Sequence, residues 1–163
     1  MDFLPAGPTD AAVVVALRNA VAEDLTERFG QGHWSGVSTE KGVLHSLKTS
    51  TIYVAWDEGR PVATLGLATK KPWAIDAAYF TPCKRPLYLT AMAVAPDRQS
   101  QGLGRWCLAQ AEAFARDWPA QAIRLDAYNV AAGAGGFYAK CGYSEMGRVI
   151  YRTVPLIYFE KLV

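Results

Sequence analysis

The feature that most constrains this chain is an apolar run that ends abruptly in a glycine loop. The stretch LYLTAMAVA (87–95) is almost wholly apolar, which predicts a strand buried on both faces of a sheet. Pro96 and Asp97 end it, and QSQGLG (99–104) leads into an amphipathic helix predicted over 102–118. A buried strand joined to such a helix indicates a layered α/β fold.

The other predicted elements also alternate between the strand and helix periods. A strand over 2–6 comes first, followed by a helix to about residue 29 and a second helix over 39–49. A hairpin is predicted from strands over 51–56 and 61–68. After the helix over 102–118 come a strand over 122–128, a short helix over about 131–141 and two closing strands over 143–151 and 155–163. The order β-α-α-β-β-β-α-β-α-β-β predicts a mixed sheet with helices on both faces, in one domain over 1–163.

Composition excludes several classes of protein. The 17 Lys and Arg nearly balance the 15 Asp and Glu, which argues against a nucleic-acid partner. The longest early apolar run, 11–17, is too short to cross a membrane, and no basic segment marks a signal peptide. We therefore expect neither a membrane anchor nor secretion.

Cysteine and histidine spacing predicts neither disulfides nor a metal site. The three cysteines form no CxxC pair, and the two histidines lack ligand spacing. An odd count of unpaired thiols fits a reduced, cytoplasmic setting. The residues concerned are Cys83, Cys107, Cys141, His33 and His45.

The glycine loop is the first candidate binding site. A helix N-terminus has unpaired N–H groups and partial positive charge, so it favours a phosphate, which glycine allows to approach closely. Arg105 adds a possible charge-assisted contact. The P-loop pattern and the Rossmann GxGxxG are both absent. The alternative is a plain tight turn.

Two segments carry a resemblance to a known family. MAVAPDRQSQGLGRWCLAQAEAFA (92–115) resembles the acyl-CoA loop of the GCN5-related N-acetyltransferases, and LDAYNVAAGAGGFYAKCGY (125–143) resembles that family's strand, Asn, short helix and Phe-Tyr ending. The resemblance implies a mixed, mostly antiparallel seven-stranded sheet with helices on both faces, splayed between the fourth and fifth strands. Ser100, where Gly is common, and the insertion GAGG (133–136) depart from the pattern.

The resemblance also implies acetyl-CoA as co-substrate, with no metal. A primary amine of a small molecule or peptide is the implied acceptor, attacking directly through a tetrahedral intermediate. We expect a bulge near Ala91–Met92 to leave strand backbone free for the pantetheine arm. The implied ligand-contacting residues are Met92, Ala93, Val94, Gln99, Ser100, Gln101, Gly102, Leu103, Gly104, Arg105, Asn129 and Tyr138.

Tyr138 and Asp126 are the candidate catalytic residues. Tyr138 matches the family's proton donor, and the alternative is a core aromatic residue. The base is not singled out by spacing: Asp126 lies on the strand beside the predicted cleft, and Asp76, Glu23 and Glu40 are alternatives. Asp126 could instead make a structural hydrogen bond. Asn129 could instead cap the helix predicted over 131–141.

Two irregular segments, 29–37 and 69–86, are predicted to form the acceptor pocket. Their aromatic residues suit a small or partly apolar amine, or a peptide terminus. They could equally cover the sheet or a dimer interface, so monomer and homodimer both stay open. A non-catalytic acyl-CoA-binding module and a transferase for longer acyl groups are the alternatives. The candidate acceptor-binding residues are Trp34, Trp73, Asp76, Tyr79 and Phe80.

Overall fold

A computed structural model describes all residues from Met1 to Val163. The helices and strands follow the predicted order. The strands are β1 Asp2–Pro5, β2 Thr51–Asp57, β3 Arg60–Ala68, β4 Pro86–Val94, β5 Ala122–Tyr128, β6 Ser144–Tyr151 and β7 Val154–Leu162. The helices are α1 Ala11–Phe29, α2 Glu40–Ser46, α3 Leu103–Asp117 and α4 Gly135–Lys140. None of the helices combines the length and apolar character needed to cross a membrane.

The strands form one seven-stranded sheet in the order β1-β2-β3-β4-β5-β7-β6. Its neighbouring strands are antiparallel except for β4 and β5, which are parallel. This mixed, mostly antiparallel sheet is the predicted one. β4 and β5 lie at the centre of the sheet, and because they are parallel, their carboxyl ends point to the same edge.

Helices cover both faces of the sheet because successive strand residues point to opposite sides. On one face, which we call the α3 face, Leu103 and Cys107 join a core with Leu65 and Leu125. On the other, the α1 face, Val14 and Leu17 of α1 pack with Ile52 and Val54 of β2. The central strands are therefore buried on both sides, as their apolar sequences predict.

The parallel pairing of β4 and β5 stops halfway along the strands. Only Pro86–Tyr88 pair with Ala122–Arg124, although β4 continues to Val94 and β5 to Tyr128. The register between β3 and β4 also shifts between Thr64 and Gly66, and Ala91 has a φ of 47°. The predicted bulge and the predicted splay are both present.

The short helix before β6 begins later than predicted. Residues 131–134 form a turn, and α4 starts only at Gly135. Gly133 favours the delay, because glycine is a poor helix former and its N–H instead closes the turn by donating to the Val130 carbonyl at 2.9 Å.

Candidate functional site

The loop from Gln99 to Gly102 joins the end of β4 to α3. Gly102 is the N-terminal cap of α3 and has a φ of 82°, which a residue with a Cβ rarely adopts. A Cβ built on Gly102 meets no atom within 4 Å, so this side of the loop is open. Gln99 closes the loop by donating from Nε2 to the Val94 carbonyl at 3.0 Å. The loop thus presents a helix N-terminus with free space in front of it.

Gly104 and Arg105 have a different local role. A Cβ on Gly104 would lie 2.9 Å from the Phe137 ring, so glycine here allows α3 to pack closely on α4. Arg105 donates from Nη2 to the Lys140 carbonyl at 3.1 Å, at the end of α4. Both residues tie α3 to α4.

The open half of β4 faces Tyr138 across the splay. Tyr138 lies on α4, is 7% exposed, and places its hydroxyl 3.8 Å from the sulfur of Met92 in the bulge. Burial, reinforced by the charge of Asp126, raises the pKa of Tyr138 well above the ordinary tyrosine value. The phenol is therefore protonated at neutral pH.

Asp126 is a half-buried carboxylate without a hydrogen-bond or ion-pair partner in the protein. It lies directly opposite Tyr158 of β7 and two residues after Arg124, so the three side chains share the α1 face. Burial raises the pKa of Asp126 above the usual aspartate value. Burial is the main cause of the raised pKa of both Tyr138 and Tyr158, and the negative charge of Asp126 raises both values further. Asp126 therefore acts electrostatically on hydroxyl groups on both faces of the sheet.

Asn129 lies just beyond the end of β5 and is exposed. Its backbone N–H donates to the Pro155 carbonyl at 2.9 Å. The alternative that it caps the following helix is wrong, because α4 begins at Gly135 and its cap is Ala134. The amide side chain remains available at the open end of the splay.

The segment after α1 is fixed to the end of β5. Tyr128 donates its hydroxyl to the His33 carbonyl at 3.2 Å, and the two rings stack at 6.4 Å. Trp34 instead packs on its own segment, donating from Nε1 to the Gly30 carbonyl at 2.9 Å. His33 and Tyr128, rather than Trp34, mark where this segment meets the open strands.

A buried ion pair fastens the long segment before β4 to the sheet. Arg124 and Glu160 are 4% and 3% exposed and contact each other at 3.0 Å. Arg124 Nη2 donates to the Thr81 carbonyl at 2.6 Å, and the Thr81 N–H donates to Glu160 at 3.3 Å. We call these three residues the clasp. It sits where Arg124 forms the last parallel pair with Tyr88.

Sequence reasoning missed the clasp. Its only sequence signal is a charged residue within each of two apolar strands, AIRLDAY and VPLIYFEKL. Such residues are rarely buried unless they are paired, so each predicts a partner of opposite charge without identifying it.

The four candidates on segment 69–86 differ in exposure. Phe80 is buried beneath Arg124, whose Cζ lies 5.0 Å from the ring, and Tyr79 packs edge-on against Tyr158 at 5.4 Å. Asp76 accepts from the Ala78 N–H, while its own N–H donates to the Tyr158 hydroxyl. Trp73 is 83% exposed. The segment therefore brings Asp76, Tyr79 and Phe80 together around Tyr158, but not Trp73.

Comparisons with known proteins identify the family and the fold of the chain. A sequence profile of the acetyltransferase (GNAT) family matches residues 16–143. No curated protein sequence matches the chain. A ribosomal-protein-alanine N-acetyltransferase from Brucella melitensis superposes over 100% of both chains, with a TM-score of 0.73 at 16% identity.

Two further solved structures share the fold. A GCN5-related N-acetyltransferase from Rhodopseudomonas palustris matches over 99% of this chain and 95% of that chain, with a TM-score of 0.73 at 21% identity. The protein yncA from Salmonella typhimurium, solved with its cofactor acetyl-CoA, matches over 99% and 92%, with a TM-score of 0.69 at 14% identity. Because the profile spans well over half of the 163 residues, the chain belongs to the acetyltransferase (GNAT) family.

Proposed function

We propose that this protein transfers the acetyl group of acetyl-CoA to a primary amine of a small molecule or peptide. The observation that carries the proposal is the open half of the β4–β5 pair. There a bulge at Ala91 frees strand backbone, and Tyr138 directs its hydroxyl at Met92. These features support a site that holds a strand-like ligand beside a proton donor.

The residues present fit the chemical groups of acetyl-CoA. Space in front of Gly102 and the N–H groups of residues 100–105 suit a pyrophosphate. Ala93 and Val94 pair with β3, but none of residues 92–94 has a partner in β5, and backbone groups on that side suit the two amides of the pantetheine arm. We expect Asn129, which is exposed just beyond the end of β5, to contact the ligand there. When bound, the thioester supplies the acetyl group.

Tyr138 acts as the proton donor in this proposal. A free thiol has a pKa near ~8.5 and a free phenol near ~10, a gap small enough for useful general-acid catalysis. Burial raises the pKa of Tyr138, but the same burial also raises the pKa of a thiol. The pKa values of the donor and of the leaving thiolate therefore shift in the same direction inside the cleft.

Asp126 acts as the base, directly or through a water molecule. An amine with a pKa near ~10 arrives protonated and must lose a proton before it attacks. The Asp126 carboxylate has no partner in the protein, and it lies on the half of β5 that does not pair with β4. Its raised pKa improves its ability to accept a proton. The other candidates, Asp76, Glu23 and Glu40, lie outside β5.

The experiment that tests the proposal follows free-thiol release from acetyl-CoA over a panel of primary amines. We expect at least one amine to give turnover at a rate that depends on its concentration. Tight CoA binding without thiol release for any amine would instead identify a non-catalytic binding module. Faster turnover with longer acyl-CoA donors would identify a different acyl group.

A further inference from the structure

Helix α1 lies on the α1 face, beside the strand β4 that forms one side of the opening. Its body packs against β3 and β4. Its C-terminal end leads to residues 33–35, where the His33 carbonyl accepts a hydrogen bond from the Tyr128 hydroxyl at the end of β5. The helix therefore leads from β3 and β4 towards the end of β5, so a sheet-facing side chain in its middle is directed to the α1 face next to the parted strands.

Arg18 occupies such a position. It follows the fully buried Val14 by one helical turn, so it shares the sheet-facing side of α1. Its Nε is buried and makes no hydrogen bond. Burial lowers the pKa of Arg18, and no carboxylate lies near enough to oppose that effect. Arg18 is thus a half-buried cation without an anion.

Arg18 is the exception among the ten arginines of the chain. Arg124 is paired with Glu160 inside the protein, and the other eight contact a carboxylate, a carbonyl oxygen or an aromatic ring. The eight are Arg28, Arg60, Arg85, Arg98, Arg105, Arg116, Arg148 and Arg152. Burying a cation without a partner is unfavourable, and the cost falls when an anionic ligand binds.

The phosphates of CoA are not the ligand that fits Arg18. The side of α1 that faces Pro96 and Asp97, next to the glycine loop, is formed by Ala12, Val13, Ala16, Leu17 and Ala20, with Ala16 at its middle. Arg18 lies two residues from Ala16, which is roughly 200° around the helix. The anion that Arg18 meets must therefore enter from the acceptor side.

We propose, on the basis of the proposed function, that Arg18 binds the carboxylate of the acceptor. The acceptor is then an amine that also carries a carboxylate, such as an amino acid. Its amine lies toward Asp126, and its carboxylate forms a charge-assisted pair with the guanidinium. Arg18 sets specificity and takes no part in the chemical step.

The test compares amino acids with the amines left by removing their carboxyl groups. The pairs are L-tyrosine and tyramine, L-tryptophan and tryptamine, and L-lysine and cadaverine. We expect the wild-type protein to acetylate amino acids with a kcat/KM roughly 10- to 100-fold above that of the matched amines, the range expected for a charged hydrogen-bonded pair. Arg18→Met should raise the KM for the amino acid by a similar factor and abolish the preference.

Two controls separate specificity from folding. Arg18→Met should lower the kcat/KM for the amino acid far more than that for the matched amine, and Arg18→Lys should recover part of the preference because it keeps the charge. Arg28→Met, which removes an exposed arginine paired with Asp24, should change none of these values. Because Arg18→Met replaces an unpaired cation with an apolar side chain of similar length, its Tm should hold or rise.

Equal or better turnover of the decarboxylated amines by the wild-type protein would overturn the assignment of Arg18 while leaving the transferase intact. An equal loss for both members of each pair in Arg18→Met would also overturn it. Absence of thiol release with every amine would overturn the proposed function and this inference with it.

Discussion

The two halves of the β4–β5 pair differ in how completely their polar groups are partnered. At the closed half, Tyr88 and Arg124 complete the parallel ladder, and the clasp satisfies both the N–H and the carbonyl of Thr81. At the open half, the ladder is missing and Asp126 has no partner. The buried charges of the closed half thus stabilise the fold, whereas the polar groups of the open half remain free to bind a ligand.

The largest expected effect comes from breaking the open half at its glycine loop. Gly102→Glu places an anion where the pyrophosphate is expected, and like charges in contact cost several kcal/mol, so CoA binding should weaken by about 10³-fold or more. Calorimetric titration with CoA measures it. Gly59→Glu is the matched control, because Gly59 also has a positive φ, 80°, and also has open space around its Cβ position. Unaltered CoA binding by Gly102→Glu would contradict the loop assignment.

Disrupting the closed half should lower the stability of the protein rather than abolish CoA binding. Glu160→Gln keeps the shape of the side chain but leaves the Arg124 guanidinium unpaired in the core, which should lower the free energy of unfolding by about 3–5 kcal/mol. Urea denaturation measures the change. Glu145→Gln, in an exposed pair with Arg148, should cost less than about 1 kcal/mol. Similar losses for both variants would show that the clasp does not hold the closed half.

The next effect separates two neighbouring tyrosines of the α3 face. Tyr138→Phe should lower kcat by roughly 10²-fold while leaving the Kd for CoA nearly unchanged, because only proton donation is lost. Tyr143 lies 5.9 Å from Tyr138, is also buried, and its hydroxyl has no hydrogen-bond partner. Tyr143→Phe should therefore keep kcat. A large loss of CoA binding in Tyr138→Phe would argue against the proton-donor role.

The smallest effect concerns the pH dependence of Asp126. If Asp126 is the base, kcat/KM should fall on the acidic side with an apparent pKa above the usual aspartate value of ~3.9, because burial raises the pKa of this carboxyl group. Asp126→Asn should remove that acidic limb and lower kcat. An unchanged profile in Asp126→Asn would assign the base to another group.

The same shift predicts a change in stability. A carboxyl group with a raised pKa in the folded protein favours folding while it is protonated, and this contribution is lost as the pH rises through the folded pKa. Asp126→Asn should therefore be more stable than the wild-type protein at neutral pH. The difference should shrink on acidification, because the wild-type group then becomes neutral as well.

The order of elements could be predicted from the sequence because its local signals agree. Strand and helix periods alternate cleanly, and residues such as Pro96 and Pro119 separate them. The bulge and the splay followed from the family resemblance rather than from any local pattern. The predicted start of α4 was wrong because residues 131–134 form a turn instead of the first turn of the helix.

The partners of individual side chains could not be predicted, because they depend on which strands become neighbours. Nothing local in AIRLDAY says that Arg124 meets Glu160 in β7, 36 residues away. The same limit applies to Arg18, one of two arginines in the helix AAVVVALRNAVAEDLTERF, because its lack of a partner is visible only in three dimensions. Gly104 fits the phosphate-loop pattern, yet its closest neighbour is Phe137.

The most direct test of the account is a crystal structure with acetyl-CoA. We expect the pantetheine arm between β4 and β5, bonded to the backbone of residues 92–94, with the pyrophosphate on the N–H groups of residues 100–105 and the thioester sulfur within reach of the Tyr138 hydroxyl. Acetyl-CoA bound elsewhere, with β4 and β5 parted but empty, would contradict the central claim that the open half of this pair is the donor site.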